Sequence, residues 1–330
     1  MKSYDITSVC NALMDVLIEI SDEDLRALGL TKGIMHLVDS ERQLKVLHHF
    51  KDKPRVTELG GSAMNAIRTL AQLGHKTVFA GMVNDDEFGR HIRDRMKTLG
   101  IKSYLGGHSN ESTGTCLILI TPDGERTMNT NLGASRLYNP THIPHDEIAR
   151  SHVFHFCGYQ WDTSDQKSAL TSSIKTAHEN NTIISFDLAD PFVVDRNRSD
   201  FIDLIQSEAD IVFANKEEAR LLFNTSPEDT ARRIAATGSI AVIKLGSEGA
   251  LVAKGSEEFR IAPVKTKVID TTAAGDMFAA GFLHGFLRGK PIPVCGQVAA
   301  VLASDVISRV GAIISDEALS VARGLTRDSE

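Results

Sequence analysis

This 330-residue chain lacks any long apolar run, and it has no surplus of basic residues. No stretch approaches the roughly 20 apolar residues that a membrane-spanning helix needs. The opening MKSYDITSVCNALMDVLIEI is interrupted by Asp5, Asn11 and Asp15, which argues against a signal peptide. Lys and Arg number 36 against 43 Asp and Glu, a formal net charge of −7. That balance weighs against a nucleic-acid partner or an anionic membrane surface. The four cysteines, Cys10, Cys116, Cys157 and Cys295, form no CxxC pair. Such spacing suits reduced thiols in a cytoplasmic protein better than a disulfide framework or a zinc site. No GxxxxGK[ST] is present, since Gly285-Phe-Leu-Arg-Gly289-Lys290-Pro291 fails in spacing and context. No GxGxxG follows the first strand, which weighs against a dinucleotide-dependent dehydrogenase. GxSxG and HExxH are missing too, and the histidines, His48-His49 and His152/His155 among them, show no metal spacing.

What is present reads as an ordinary enzyme, 42% hydrophobic and 24% charged, able to bury a sizeable core. Strands are expected at Tyr4–Cys10 and Val16–Ile20, then a short helix from Ser21 to about Gly29. Short strands at 33–39 and 55–59 precede a helix that opens at Gly60-Gly61-Ser62 and ends at Gly74. After a strand at 77–83, Asn84-Asp85-Asp86-Glu87 opens another helix. Strands at 115–121 and 125–131 are joined by the turn Pro122-Asp123-Gly124. This hairpin and the early short strands predict a small β lid, drawn from roughly 16–60 and 112–132, that excludes water during chemistry. From residue 152 apolar strands at 153–157, 183–187, 211–214 and 240–245 alternate with helices, the pattern of βα units around a buried parallel sheet. An antiparallel pair at 250–253 and 258–261 and a final helix from Pro293 to Val310 complete the reading. No repeat or linker divides the chain, so residues 1–330 are expected to form one α/β domain.

The chemistry centres on Val268-Ile-Asp270-Thr271-Thr272-Ala273-Ala274-Gly275-Asp276, read as a short strand, a tight turn and a helix start. The helix would show one apolar face through Phe278, Phe282 and Phe286. Free N–H groups and the helix dipole make such a turn attractive to anions. Asp276 beside it is either a base for an attacking hydroxyl or a helix cap. Asn11 and Asp15 lie at the end of the first strand, where open sheets bind ligands, or they simply form turns. Gly60 and Gly61 allow close backbone approach, with Asn65 on the first turn of the helix able to bond a hydroxyl-rich ligand, unless they form only a turn capped by Ser62. Asn215 and Glu218 could hold hydrated Mg²⁺ or cap a helix. Lys244 with Gly246 and Gly249 could admit a nucleotide, and Asp187 and Asp190 are ligands or turn-formers at another strand end.

Together these motifs resemble the ribokinase-like (PfkB) family of carbohydrate and nucleoside kinases over nearly the whole chain. Asp270-Thr-Thr-Ala-Ala-Gly-Asp276 matches the D-T-x-G-A-G-D signature with Ala273 for glycine, a form that ribokinases also carry. Gly60-Gly61 with Asn65, Gly81-Met-Val-Asn-Asp85-Asp86-Glu-Phe-Gly89, the Asn215/Glu218 pair and Gly246/Gly249 match other elements. The resemblance implies a three-layer α/β/α, mostly parallel sheet with a small β-sheet lid, and an ATP- and Mg²⁺-dependent phosphotransferase. It makes Asp276 the base and gives the Ala273, Ala274 and Gly275 amides the developing phosphoryl charge. It assigns ATP to Asn215, Lys244, Gly246, Gly249 and Thr271, and Mg²⁺, largely through water, to Asn215 and Glu218. Asp270, Thr272, Gly311 and Ser315 stand where family members hold K⁺. Asn11-Ala-Leu-Met-Asp15, residues 124–134, Gly158-Tyr159 and Phe186-Asp-Leu-Ala-Asp190 look like the bacterial adenosine kinase branch. In that reading Asn11, Asp15, Gly60, Gly61, Asn65, Arg126 and Tyr159 bind the acceptor, with Met35, His36 and Gln160 as further candidates for the base pocket. The expected reaction phosphorylates the 5′-hydroxyl of adenosine. The alternatives are a ribokinase- or fructokinase-like sugar kinase and a non-catalytic nucleotide-binding regulatory protein. The small molecule and ATP are the expected partners, and the chain is a monomer or a homodimer.

Overall fold

Two sheets organise the computed structural model, which describes residues 1–107 and 110–327. The first part of the chain contains β1 (Tyr4–Val9), β2 (Leu13–Glu19), α1 (Asp22–Ala27), β3 (Met35–Leu37), α2 (Ser40–His49), β4 (Arg55–Gly60) and α3 (Ser62–Gln72). Then come β5 (Thr77–Val83), α4 (Glu87–Thr98), β6 (Lys102–Gly107), β7 (Gly114–Ile120), β8 (Arg126–Asn131), α5 (His145–Ala149) and β9 (Ser151–Cys157). They are followed by α6 (Ser164–Glu179), β10 (Ile183–Asp187), α7 (Pro191–Arg196), α8 (Arg198–Ser207), β11 (Ile211–Asn215), α9 (Lys216–Phe223) and α10 (Pro227–Ala236). The last are β12 (Ile240–Lys244), β13 (Ala250–Lys254), β14 (Glu257–Ile261), α11 (Ala274–Leu287), α12 (Ile292–Val306) and α13 (Asp316–Leu325).

The large sheet runs β14-β13-β12-β11-β10-β9-β1-β5-β6. It is parallel from β12 to β6, and only the β12–β13 and β13–β14 pairings are antiparallel. Its strands are apolar on both faces because each face is covered. On β9, Val153 and Cys157 join one core with Ile67, Phe282 and Ala299, whereas Phe154 and Phe156 join another with Leu170, Phe201 and Ile234. This is the expected three-layer α/β/α architecture. The small sheet, β3-β8-β7-β2-β4, buries Val16, Ile18, Leu117 and Leu119 against Leu25, Val46 and Phe50 of α1 and α2. Its opposite face carries Asp15, Leu17, Cys116 and Ile118. Since β2 follows β1 after three residues and β4 leads straight into α3, this sheet is rooted at the carboxyl edge of the large one.

Several local expectations need correcting. Val268 and Ile269 form no strand; both are about half exposed, and the Ile269 N–H donates to Ile307 O at the end of α12. The sequence reading missed α2, β6, α13 and the short helices α5 and α7. The SERQLKVLHH of α2 is mostly polar, and β6 is an edge strand that ends in glycines. The long final helix stops at Val306, and α13 follows it, capped by the Ser315 hydroxyl. No described helix is long and apolar enough to cross a membrane.

Candidate active site

The turn before α11 is built on Ala273, the helix N-cap, in a left-handed conformation (φ 60°, ψ 7°). A Cβ there costs roughly 1 kcal/mol, which glycine would avoid. The turn leaves the N–H groups of Ala273, Gly275 and Asp276 without a partner among the described residues. Ala274 was expected to contribute as well, but its N–H donates to Thr271 O at 3.3 Å. Ala273→Gly is therefore expected to keep activity within about threefold and to raise the thermal midpoint slightly, by the relief of left-handed strain. A melting curve and a rate assay check this, and a loss of activity beyond tenfold would contradict it. The helix itself is buried all round from Met277 to Gly285, between α3 and α12, rather than on one Phe-lined face. A Cβ at Gly281 would come within 2.6 Å of Ala299 Cα, so glycine is needed for that packing.

Asp276 sits in the first turn of α11 and does not cap it. Its Oδ1 accepts a hydrogen bond from Ser62 Oγ at 2.6 Å, and its Oδ2 accepts one from Asn65 Nδ2 at 2.9 Å. Ser62 was expected as a cap, but Gly61 (φ 104°) holds the N-cap position of α3 without a side-chain bond. Loss of solvent pushes the Asp276 carboxyl above the usual range, against the two hydrogen bonds and with the Asp187 charge. Asn65 Oδ1 is buried with no partner.

Asn11 lies beside this pair on the β1–β2 connection, whereas Asp15, expected in the same strand-end loop, is inside β2, paired with Glu58 and Cys116. Burial raises the Asp15 carboxyl to about 7, opposed by Arg68 and Arg126 and reinforced by Asp276 and Glu58. A Cβ on Gly60 would overlap the Asp15 carboxylate, and one on Gly61 would overlap Asn11 O. These glycines thus let the strand end and the helix start close on the two polar residues. Asn11 Oδ1 accepts from Gln160 Nε2 at 2.6 Å and from Gln166 Nε2 at 3.2 Å, which turns its Nδ2 outward as the donor. Gln160 is fully buried behind Asn11, so it supports Asn11 instead of lining a base pocket. Met35 is 41% exposed on the sheet-edge strand β3, and its half-buried neighbour His36 bonds Thr31 O at 3.1 Å. Tyr159 is part-buried against the core after β9, where burial pushes its hydroxyl well up.

On the other side of the Asp276 turn, Lys244 at the end of β12 reaches Asp187 Oδ2 at 3.0 Å. Its Nζ would lie 3.1 Å from a Cβ on Gly275, so the ammonium stands over the free amides. Burial lowers the Lys244 pKa, but Asp187 and Glu218 outweigh it and the net shift is upward. Asp187 was left as a ligand or turn-former by the sequence; it aims Lys244. Asp190 caps α7 through Phe192 N–H. Asn215 and Glu218 form a reciprocal capping box on α9, and burial raises Glu218 to about 7. Gly246 (φ 65°) faces open space, whereas Gly249 (φ 84°) is required by the turn, since a Cβ there would overlap Ile261 O. Thr271 is exposed at the mouth of the turn.

Arg126, the first residue of β8, places Nη2 at 2.7 Å from Asp270 Oδ2, and its Nη1 donates to Thr272 Oγ1 at 3.1 Å. The Asp270 carboxylate also accepts the Thr272 and Gly311 N–H groups, each at 3.0 Å. Ser315 does not join them, since its hydroxyl donates to Asp305 Oδ1 at 2.7 Å. Sequence reasoning did not give the bond of Ser62 to Asp276, the ion pair of Asp187 with Lys244 or the contact of Arg126 with Asp270. Only the position of Asp187 at a strand's carboxyl end hinted at its part.

A buried, mostly parallel sheet with a clamped carboxylate at a helix N-terminus and a small covering sheet defines a ribokinase-like small-molecule kinase. The sequence profile of the pfkB family of carbohydrate kinases matches residues 24–319, and the chain belongs to that family. The structure of a probable sugar kinase from Rhizobium etli CFN 42 is similar with a TM-score of 0.90 at 34% identity, covering 98% of this chain and 100% of that one. Adenosine kinase from Sinorhizobium meliloti gives a TM-score of 0.88 at 33% identity, covering 97% and 99%. A curated relative, an uncharacterised sugar kinase of Archaeoglobus fulgidus, is 31% identical over 244 residues, 74% of this chain and 96% of its own length.

Proposed function

We propose that this kinase uses ATP to phosphorylate the 5′-hydroxyl of adenosine, within one domain spanning 1–330 whose small sheet serves as a lid. The observation that carries the acceptor is the lid face beside Asp15. Two residues outward on the same face stands Leu17, with Ile118 paired to it and Met128 beyond, a largely buried apolar row. A purine next to a ribose held by Asp15, Asn11 and Asn65 would lie toward that apolar row, whereas a free pentose would stop short of it. Asp276 takes the proton of the attacking hydroxyl while that oxygen forms a bond to the γ-phosphorus and the bond to ADP breaks. The free amides of Ala273, Gly275 and Asp276 and the Lys244 ammonium face the charge that develops on the transferring group. Gly246 leaves room for the nucleotide backbone, and Thr271 lines its approach. The oxygen-only set of Asn215 and Glu218 suits Mg²⁺ held through water, and the ion would neutralise phosphate charge. Among the described residues no three His, Cys, Asp or Glu side chains could chelate a metal directly.

ADP release measured with Mg-ATP against adenosine, inosine, guanosine, cytidine, ribose and fructose tests the reading. Adenosine is expected to give the highest kcat/KM, and preference for a free sugar would sink it. The sugar kinase reading has its own support, because a vicinal diol offers Asp15 and Asn65 the same hydrogen bonds and two of the similar proteins are named sugar kinases.

The raised Asp15 carboxyl sets an expected pH dependence. Below about 7 it is protonated and loses its charge for the acceptor hydroxyls, so kcat/KM for the acceptor should fall as pH drops through that value. The limb should flatten in Asp15→Asn at saturating ATP. An unchanged limb in that variant would assign it to another group.

A further inference from the structure

Asp270 is a carboxylate whose side chain is only 2% exposed, at the root of the loop that carries the free amides. Two neutral N–H donors, from Thr272 and Gly311, orient it but do not balance its charge. The charge is met by Arg126, which comes from the small sheet, on a different element and far off in sequence. The planar guanidinium meets both groups at once, with Nη2 as an ion-pair contact to Asp270 that lacks hydrogen-bond alignment and Nη1 as a donor to the Thr272 hydroxyl. Two of the residues expected to hold K⁺ have their hydroxyls engaged, Thr272 by Arg126 and Ser315 by Asp305. The neighbouring Ala312 carbonyl accepts from the guanidinium of Arg68 on α3. The set therefore fits an exchangeable monovalent cation poorly.

We infer that Arg126 is the protein's own fixed counter-cation for Asp270, so that the amide loop is held in shape by the closed small sheet and needs no potassium. The physical logic is local. A carboxylate removed from water requires a cation nearby, and a tethered guanidinium supplies one at high effective concentration without binding from solution. Arg126 is on this view a positioning residue, acting on the amides through Asp270 and Thr272. Potassium should matter only when the guanidinium is gone, because Asp270 would then face a gap that a small cation can enter.

The experiment compares the full chain and its variants in KCl and in choline chloride at equal ionic strength, about 0.1 M. It reads thermal midpoints and, resting on the proposed reaction, ADP release with adenosine and Mg-ATP. Wild type should be indifferent to the cation in both readouts. Arg126→Gln should melt roughly 5 °C lower in choline, with potassium restoring at least half of that shift. Its rate should fall on the order of 10²-fold in choline and recover in part with potassium. Adding Asp270→Asn to Arg126→Gln should abolish the potassium response. A wild type activated or stabilised severalfold by potassium would overturn the proposal, as would an Arg126→Gln variant whose midpoint ignores it. Should Arg126→Gln not fold, Arg126→Lys keeps the charge and must be potassium-indifferent, and a potassium response there would equally overturn the idea. If wild type phosphorylates no acceptor, the proposed reaction fails while the melting series still decides the role of Arg126.

Discussion

Asp276→Asn is expected to lower kcat by roughly 10³-fold, within the range that a positioned base contributes, while the protein folds and binds both substrates. The fold should tolerate the change because the clamp can rearrange. Asn65 Oδ1 is buried without a partner, so a flip of its amide would present an acceptor to the amide nitrogen that the substitution introduces. Ser62 would keep its bond to the remaining side-chain oxygen. The thermal midpoint should stay within about 3 °C, given a net change of no more than one ordinary hydrogen bond. Steady-state kinetics and a melting curve decide the matter. Unchanged turnover would remove Asp276 from the chemistry, and a collapse of the midpoint would make its role structural.

Asp15→Ala should cost about 10²- to 10⁴-fold in kcat/KM for the acceptor, since a charged acceptor contributes roughly 1.5–3 kcal/mol per hydrogen bond and a diol offers two. The KM for Mg-ATP should hardly move, because Lys244 and the amide turn lie on the far side of Asp276. Gly60→Ala should fail in the same way with Asp15 still present. Gly60 has no left-handed backbone to strain, and its added Cβ would overlap the Asp15 carboxylate and displace it. Agreement between the two variants would locate the defect in the placement of one carboxylate. A rise in the KM for ATP of the same size, or a Gly60→Ala enzyme like wild type, would contradict that placement. At pH 8 Asp15→Ala should not melt far below wild type, because a buried carboxyl raised to about 7 carries a stability cost that builds as pH rises from the ordinary carboxylate range and is complete above 7.

The sequence by itself determined the alternating βα plan after residue 152, since a sheet buried on both faces needs continuous apolar strands. It also placed Asp276, Asn65, Asn11, Asn215, Glu218 and Lys244 at strand ends or helix starts, because those residue types beside glycines are local signals. It misjudged what depended on distant partners. Val268 and Ile269 look like a strand, but they pair with none of the strands among the described residues. Ser62 looks like a cap, yet its hydroxyl is directed to Asp276, more than 200 residues on. Asn215 and Glu218 were read as metal ligands or a cap, and locally the cap is what forms. Only the tertiary structure decided that Asp276 is held by both Ser62 and Asn65, that Asp187 aims Lys244, and that Arg126 from the small sheet balances Asp270. Hydrogen bonds and ion pairs between remote segments leave no periodicity in the chain, because their geometry exists only once the sheets have packed.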